Sequence, residues 1–499
     1  MPGKRCIIPV PRARAVFLIL ALTAMLIGAG VFLFMRGRGE KTYVPPNLPD
    51  EGSLDRYDLV LRLNDGDHTV SITETIRFTN RTGQTLSTIV LRTWLNAFSS
   101  EETSPAALEA IYDACYPNGF SPGGLTIFDV NWQGAPVPWE YGNADKTALS
   151  LAIPPLQDGE SGEIYLRCVA AIPNCAYRLG YVGQDYQLGN LIPLLSRYEN
   201  GAWRTDLYSP IGDPFVSDCA DFDVSLYLPQ GFAACGSAVP EQDASGVWRF
   251  HIRGARDFCF CLSPAWETAR GAAGGVTVTA HAGTKAGAKR ALDDGIRALE
   301  TLNRLYGPYP YPSLTLCCVD FPFSGMEYPG LCMLGEPLFA QDKADTLELT
   351  VAHETAHQWF YGLVGSDQAN APWQDEALCE YAMLRYVKER YGQGSFETLK
   401  FYRVDSPMRE NIPGSLTPGS PIDYFSDLET YRTVVYGRGA ALLLALDDLL
   451  PEGTDAFLKA YAARFSYGYA SREQFEAFLN QYAGMDLRPL LLDYVDTVL

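Results

Sequence analysis

The stretch Val351-Ala-His-Glu-Thr-Ala-His-Gln-Trp-Phe360 constrains this chain more than any other. His353 and His357 stand four residues apart, a spacing that on a helix stacks both imidazoles on one face, within reach of a single ion. Glu354 sits about 100° further round such a helix, where it suits a general base acting on a water beside that ion. With 5 His in 499 residues, two at this spacing around a Glu form a specific signal, and zinc is the expected ion, one per chain. The flanks favour a helix. Leu347, Leu349, Val351, Ala352 and Ala356 give it apolar surface, Asp345 or Thr346 is placed to cap its start, and Gly362 and Gly365 supply stop signals. Polar side chains on a buried helix need partners, and a shared metal is the simplest one.

A composition of 47% hydrophobic and 20% charged residues is that of a globular chain long enough for two or three domains. The formal charge of -20 argues against a nucleic-acid partner, which requires basic surface to neutralise phosphates. The N-terminus is different in character. Residues 15–35 are 21 uncharged, mostly apolar residues, flanked by Lys4, Arg5, Arg12 and Arg14 before and by Arg36, Arg38 and Lys41 after. That length matches the hydrocarbon core of a bilayer, so residues 15–35 are expected to be an uncleaved single-pass anchor. Residues 1–14 would be a short cytoplasmic tail, residues 36–56 a Pro-, Gly- and charge-rich linker, and the bulk of the chain extracytoplasmic at the cell membrane.

Residues 57–270 read as a β domain. Tyr57–Leu63 and Thr69–Phe78 alternate strongly, and further candidate strands are Ser87–Trp94, Glu163–Cys168, Phe222–Leu228, Val247–Arg253 and Phe258–Leu262. Many short strands at this spacing predict an all-β sandwich or saddle. Residues 271–499 change pattern: a strand at Val276–His281, a helix at Ala286–Leu305, a strand at Leu314–Asp320, the histidine helix, and then helices from Gln374–Tyr391 to Leu487–Val498. This predicts an α+β domain. The expected fold class is therefore multi-domain, a transmembrane helix followed by an all-β domain and an α+β catalytic domain. An exported domain could pair some of the 12 Cys; the strand-like neighbours Cys259 and Cys261, and Cys317 and Cys318, do not suit pairing with each other and read as small buried hydrophobes, and with so few His no second metal site is indicated.

A catalytic zinc takes a third protein ligand and keeps a position for water. Glu376, with 18 residues between it and His357, is the candidate, in Trp373-Gln-Asp-Glu-Ala-Leu-Cys-Glu-Tyr381. Taken alone, Glu376 or its neighbour Asp375 is equally an acidic residue stabilised at a helix N-terminus; the spacing after H-E-x-x-H decides for Glu376 as ligand.

That arrangement resembles the gluzincin metallopeptidases, and further segments resemble the M1 aminopeptidase family, with a thermolysin-like catalytic domain. Ser324-Gly-Met-Glu-Tyr-Pro-Gly330 is similar to the family's Gly-x-Met-Glu-Asn exopeptidase motif, and Val434-Val-Tyr-Gly-Arg-Gly-Ala440 to its Tyr-x-Lys-Gly segment. Asn200-Gly-Ala-Trp203, Gly212-Asp-Pro-Phe215 and Ala220-Asp-Phe-Asp-Val224 look like parts of the family's β domain. The resemblance implies His353, His357 and Glu376 as zinc ligands, Glu354 and Tyr436 as catalytic residues, and Glu327, with Gly325 and Met326, as the substrate-binding segment that holds a free α-amine. Peptides with a free N-terminus are the implied substrates. Three positions depart from the family pattern: Tyr328 for Asn, Asp375 where Asn is common, and Arg438 for Lys. The family's long C-terminal helical domain is missing from the resemblance, from which a more open cleft is expected. Two other readings remain: a zinc endopeptidase or other hydrolase on the same scaffold, and a non-catalytic, membrane-tethered zinc-containing binding or sensor protein.

Overall fold

Alternating sequence becomes alternating burial in the first long hairpin. In Thr69–Thr79 the side chains of Val70, Ile72, Ile76 and Phe78 point inward, and Leu59 and Leu61 do the same from Asp55–Asn64. Glu74 occupies the same inward row, and burial pushes its carboxyl well above the usual carboxylate range. In this computed structural model residues 43–412 and 414–498 are described, and everything from Val44 onward belongs to one compact unit. The proposed anchor at residues 15–35 lies outside the described residues. Among the described residues no helix is long and apolar enough to cross a membrane.

The hairpin is the centre of an eight-stranded sheet running, in order, Glu241–Gln242, Trp248–Ala255, Ala220–Tyr227, Asp55–Asn64, Thr69–Thr79, Ser161–Ala171, Gly124–Trp132 and Ala135–Pro136. Its one parallel pairing joins Asp55–Asn64 to Ala220–Tyr227. Two four-stranded sheets accompany it, one built on Leu86–Arg92 and Ala148–Leu156, the other ordered Ala233–Gly236, Phe260–Ser263, Asp185–Leu188, Leu179–Val182. The strand expected over Ser87–Trp94 stops at Arg92, because Trp94 opens a tight 3₁₀ turn, Trp94–Ser99, whose ring packs edge-on to Tyr208 and Phe215.

A separate five-stranded sheet carries the site. Its order is Glu267–Ala273, Val276–Ala282, Ser313–Val319, Leu331–Gly335, Gly325–Tyr328. Glu267–Ala273 pairs with Val276–Ala282 along its whole length, so this sheet begins before residue 270, where the change of domain is expected from sequence. Helix α1 (Lys285–Tyr306), capped by Thr284 accepting from the Gly287 N–H at 3.0 Å, crosses over between the parallel strands Val276–Ala282 and Ser313–Val319. Helix α2 (Ala344–Ala356) lies against Gly325–Tyr328 and Leu331–Gly335 and packs on α1 and on α3 (Trp373–Tyr391). No side chain caps α2: a 3₁₀ turn over Gln341–Lys343 feeds directly into it, which leaves Asp345 and Thr346 inside the helix. It closes at His357, before either glycine, with the Gly362 N–H returning to His357 O at 2.8 Å. Beyond α3 the described residues are mostly helical, including Arg472–Ala483 with a Ser471/Gln474 capping box, with one short strand at Gly468–Tyr469.

Candidate active site

His353 and His357 project from the last turn of α2, and Glu376 from the first turn of α3. His357 Nε2 lies 3.2 Å from His353 Nε2, and Glu376 Oε2 lies 3.4 Å from each. An ion holding three ligands tetrahedrally at about 2.0–2.1 Å sets them about 3.3–3.4 Å apart, so these three atoms fit zinc. Burial alone would raise the Glu376 carboxyl; the two imidazoles beside it outweigh burial and hold the carboxyl below its ordinary range.

The imidazoles are oriented from behind. His357 Nδ1 lies 2.7 Å from Asp375 Oδ1 and donates to it, which turns Nε2 toward the ligand cluster. Asp375, an Asp where Asn is common, thus supports a ligand through a charge-assisted bond, and Gln368 Nε2 donates to its other oxygen. Glu380 Oε2 lies 3.6 Å from His353 Nδ1, and Glu380 is itself fixed by Arg403, whose Nε and Nη2 donate at 2.6 and 2.7 Å.

Glu354 faces the edge strand Gly325–Tyr328. A Cβ placed on Gly325 would lie 2.3 Å from Glu354 Oε1 and 2.5 Å from its Cγ, so only glycine lets the carboxylate lie against this backbone. Burial pushes the Glu354 carboxyl up to about 7, opposed by His353 and His357. On the same strand Glu327 is 3% exposed, its Oε1 has no hydrogen-bond partner, and that oxygen is 4.0 Å from His357 Nδ1. Burial pushes its carboxyl well above the usual range. Gln358, just past α2, ties this hairpin down, its Nε2 donating to Tyr328 O at 3.1 Å and its Oε1 accepting from the Gly330 N–H at 2.7 Å.

Two departures from the family pattern point away from the cleft. The Tyr328 hydroxyl donates to Asn190 Oδ1 at 2.6 Å, inside the β region, where Gly189 leaves room for its ring. Arg438 is buried, and its Nε donates to Pro407 O at 3.2 Å. Tyr436 instead stacks on His353, ring centroids 5.6 Å apart and 12° from parallel. It stands in a π-helical stretch, Arg432–Arg438, that leads directly into the helix Gly439–Leu446.

All eight residues singled out from the sequence, Gly325, Met326, Glu327, His353, Glu354, His357, Glu376 and Tyr436, line one cleft of about 220 Å³. The cleft also has walls that sequence reasoning missed. Arg178 and Asp213, from the β region, form a buried ion pair on it, and Arg403 lines it from beyond α3. No local pattern announces these residues, since Arg178 and Asp213 lie 35 positions apart and Arg403 lies 23 from Glu380.

Comparison with known proteins agrees with this geometry. Residues 290–494 match the peptidase family M1 domain. Aminopeptidase M1-D of Oryza sativa subsp. japonica is 26% identical over 233 residues, covering 43% of this chain and 26% of that protein. Aminopeptidase RNPEPL1 of Homo sapiens is 28% identical over 199 residues, covering 36% and 26%. The chain thus spans about a quarter of the length of these curated relatives. An M1 zinc metallopeptidase from Deinococcus radiodurans, also solved as a mutant with a Tyr-ser-ala substrate, shares the fold, with a TM-score of 0.63 at 20% identity over 91% of this chain and 96% of that one. Residues 290–494, the stretch similar to the peptidase family M1 domain, contain the histidine helix, Glu376 and Tyr436.

Proposed function

We propose that this protein is a membrane-anchored, zinc-dependent aminopeptidase that removes N-terminal residues from peptides outside the cytoplasm, with residues 15–35 as its tether. The observation that carries the exopeptidase reading is Glu327, a buried carboxylate facing the cleft with an unpartnered oxygen beside the ligand cluster. Such a group is costly unless an opposite charge arrives, and a substrate ammonium supplies one. Long uncharged length is the support for the tether.

His353, His357 and Glu376 would hold zinc, which when bound supplies a Lewis acid for the scissile carbonyl and a lowered pKa for water. Glu327 binds the α-ammonium and sets the first peptide bond at the reacting centre. Gly325 and Met326, on the edge strand of the five-stranded sheet and lining the cleft, offer backbone groups to an extended substrate. Glu354 takes the proton of the attacking water on its carboxylate and passes it to the leaving amine nitrogen. Burial keeps the Tyr436 phenol protonated, so its O–H donates to the carbonyl oxygen as negative charge develops there.

The test is chromophore release from a panel of aminoacyl anilides, with N-acetylated counterparts, a zinc chelator and Glu354→Gln in parallel. Release from free amines alone, abolished by chelator and substitution, supports the reading. Cleavage of blocked peptides would instead make this an endopeptidase, and stoichiometric zinc without turnover a binding protein.

A further inference from the structure

Outside the cleft, Cys235, Cys261 and Cys317 come from three strands in two sheets, yet their Sγ atoms lie within 4.8 Å of one another. Cys235 on Ala233–Gly236 stands directly opposite Cys261 on Phe260–Ser263, and Cys317 belongs to Ser313–Val319 of the five-stranded sheet. All three are at most 1% exposed.

A small cavity of about 10 Å³ adjoins Cys235 and is lined also by Thr279, His281 and Arg270 among others. That is about the space of one water. Thr279 Oγ1 is buried on this cavity without a hydrogen-bond partner. His281 neighbours Cys317 across the parallel strand pair, and its Nδ1 is engaged 3.0 Å from Thr268 Oγ1, leaving Nε2 as its second ligating atom.

Buried thiols as plain hydrophobes account for the apolar packing but not for the convergence of three sulfurs from three strands. A Cys235–Cys261 disulfide would use two sulfurs and leave Cys317 against the bridge. A soft divalent cation accounts for all three. Tetrahedral zinc–sulfur bonds of about 2.3 Å set sulfurs about 3.8 Å apart, inside the observed spread, and leave a fourth position for the cavity. Binding releases three thiol protons to solvent and leaves one net negative charge on the trithiolate, which Arg270 at the cavity offsets. A monovalent cation would leave two.

We propose that Cys235, Cys261 and Cys317 form a second, structural zinc site that clamps the β region to the five-stranded sheet, its fourth position facing His281 and Thr279. This site is independent of the catalytic reading, because it shares no residue with the cleft.

The test is zinc content and zinc-edge X-ray absorption of the full-length protein purified from zinc-supplemented cells. Two zinc per chain are expected. The His353→Ala/His357→Ala variant, with every cysteine intact, should keep one zinc in a shell of three sulfurs at about 2.3 Å; Cys317→Ser should lose that sulfur signal and keep the nitrogen and oxygen shell. A double-His variant without zinc, or with zinc lacking sulfur neighbours, overturns the proposal. So does a Cys235–Cys261 disulfide peptide in the mass spectrum of the native protein.

Discussion

Replacing Gly325 by Ala probes the placement of Glu354 without touching a polar group. The added Cβ would meet Glu354 Oε1 at 2.3 Å, Cδ at 2.4 Å and Cγ at 2.5 Å. Three consecutive atoms clash, so turning the carboxylate end does not relieve the contact; the side chain must retreat by about 1 Å to reach van der Waals distance. A misplacement of about 1 Å costs on the order of 10²-fold in rate, or about 2.7 kcal/mol of barrier. The assay is kcat on the best aminoacyl anilide at saturation, with zinc content and melting temperature measured on the same preparation. The expected result is a fall of about 10²-fold in kcat with zinc retained. Full zinc occupancy with kcat within about threefold of wild type would refute the reasoning, since Glu354 would then work from a position this glycine does not define.

Asp375→Ala removes the 2.7 Å partner of His357 Nδ1 and should weaken zinc binding about 10- to 100-fold, read by competition with a chromogenic chelator, with activity recovered at excess zinc. Tyr436→Phe should lower kcat by about 10²–10³-fold and leave KM nearly unchanged, because its hydrogen bond matters only as charge develops on the carbonyl oxygen. Asp257 is buried, accepts from Asn190 Nδ2 at 2.8 Å, and is pushed up to about 7 by burial. Its folded pKa lies above the unfolded value, so the folded state holds the extra proton and stability falls as pH rises from about 4 to about 7. Asp257→Asn should therefore flatten the pH dependence of melting temperature over that window, measured by calorimetry against wild type.

The convergence of His353, His357 and Glu376 is readable in sequence because one helical turn fixes His353 against His357, and the distance to Glu376 suits a loop and a returning helix. The strands of the first hairpin were readable for the same kind of reason, a period of two over ten residues or so. What escaped is non-local. Arg178 meets Asp213, and Arg403 meets Glu380, only once sheets and helices have packed, and no spacing encodes those encounters. Glu327 and Tyr436 were reachable through resemblance alone: one sits on a four-residue edge strand, the other in a π-helical widening that a 3.6-residue period does not foresee. The start of α2 was misplaced because a 3₁₀ turn, rather than a side-chain cap, receives it.

The claim that Glu327 measures one residue from the chain end is tested most directly by Glu327→Gln, assayed on matched peptides with free and acetylated N-termini. The expected result is a fall of at least about 10²-fold in kcat/KM for the free-amine peptide, the loss of a buried charge pair with the ammonium, while the acetylated peptide stays uncleaved by either protein. Equal cleavage of both peptides by wild type, or an unchanged kcat/KM in the variant, would contradict it.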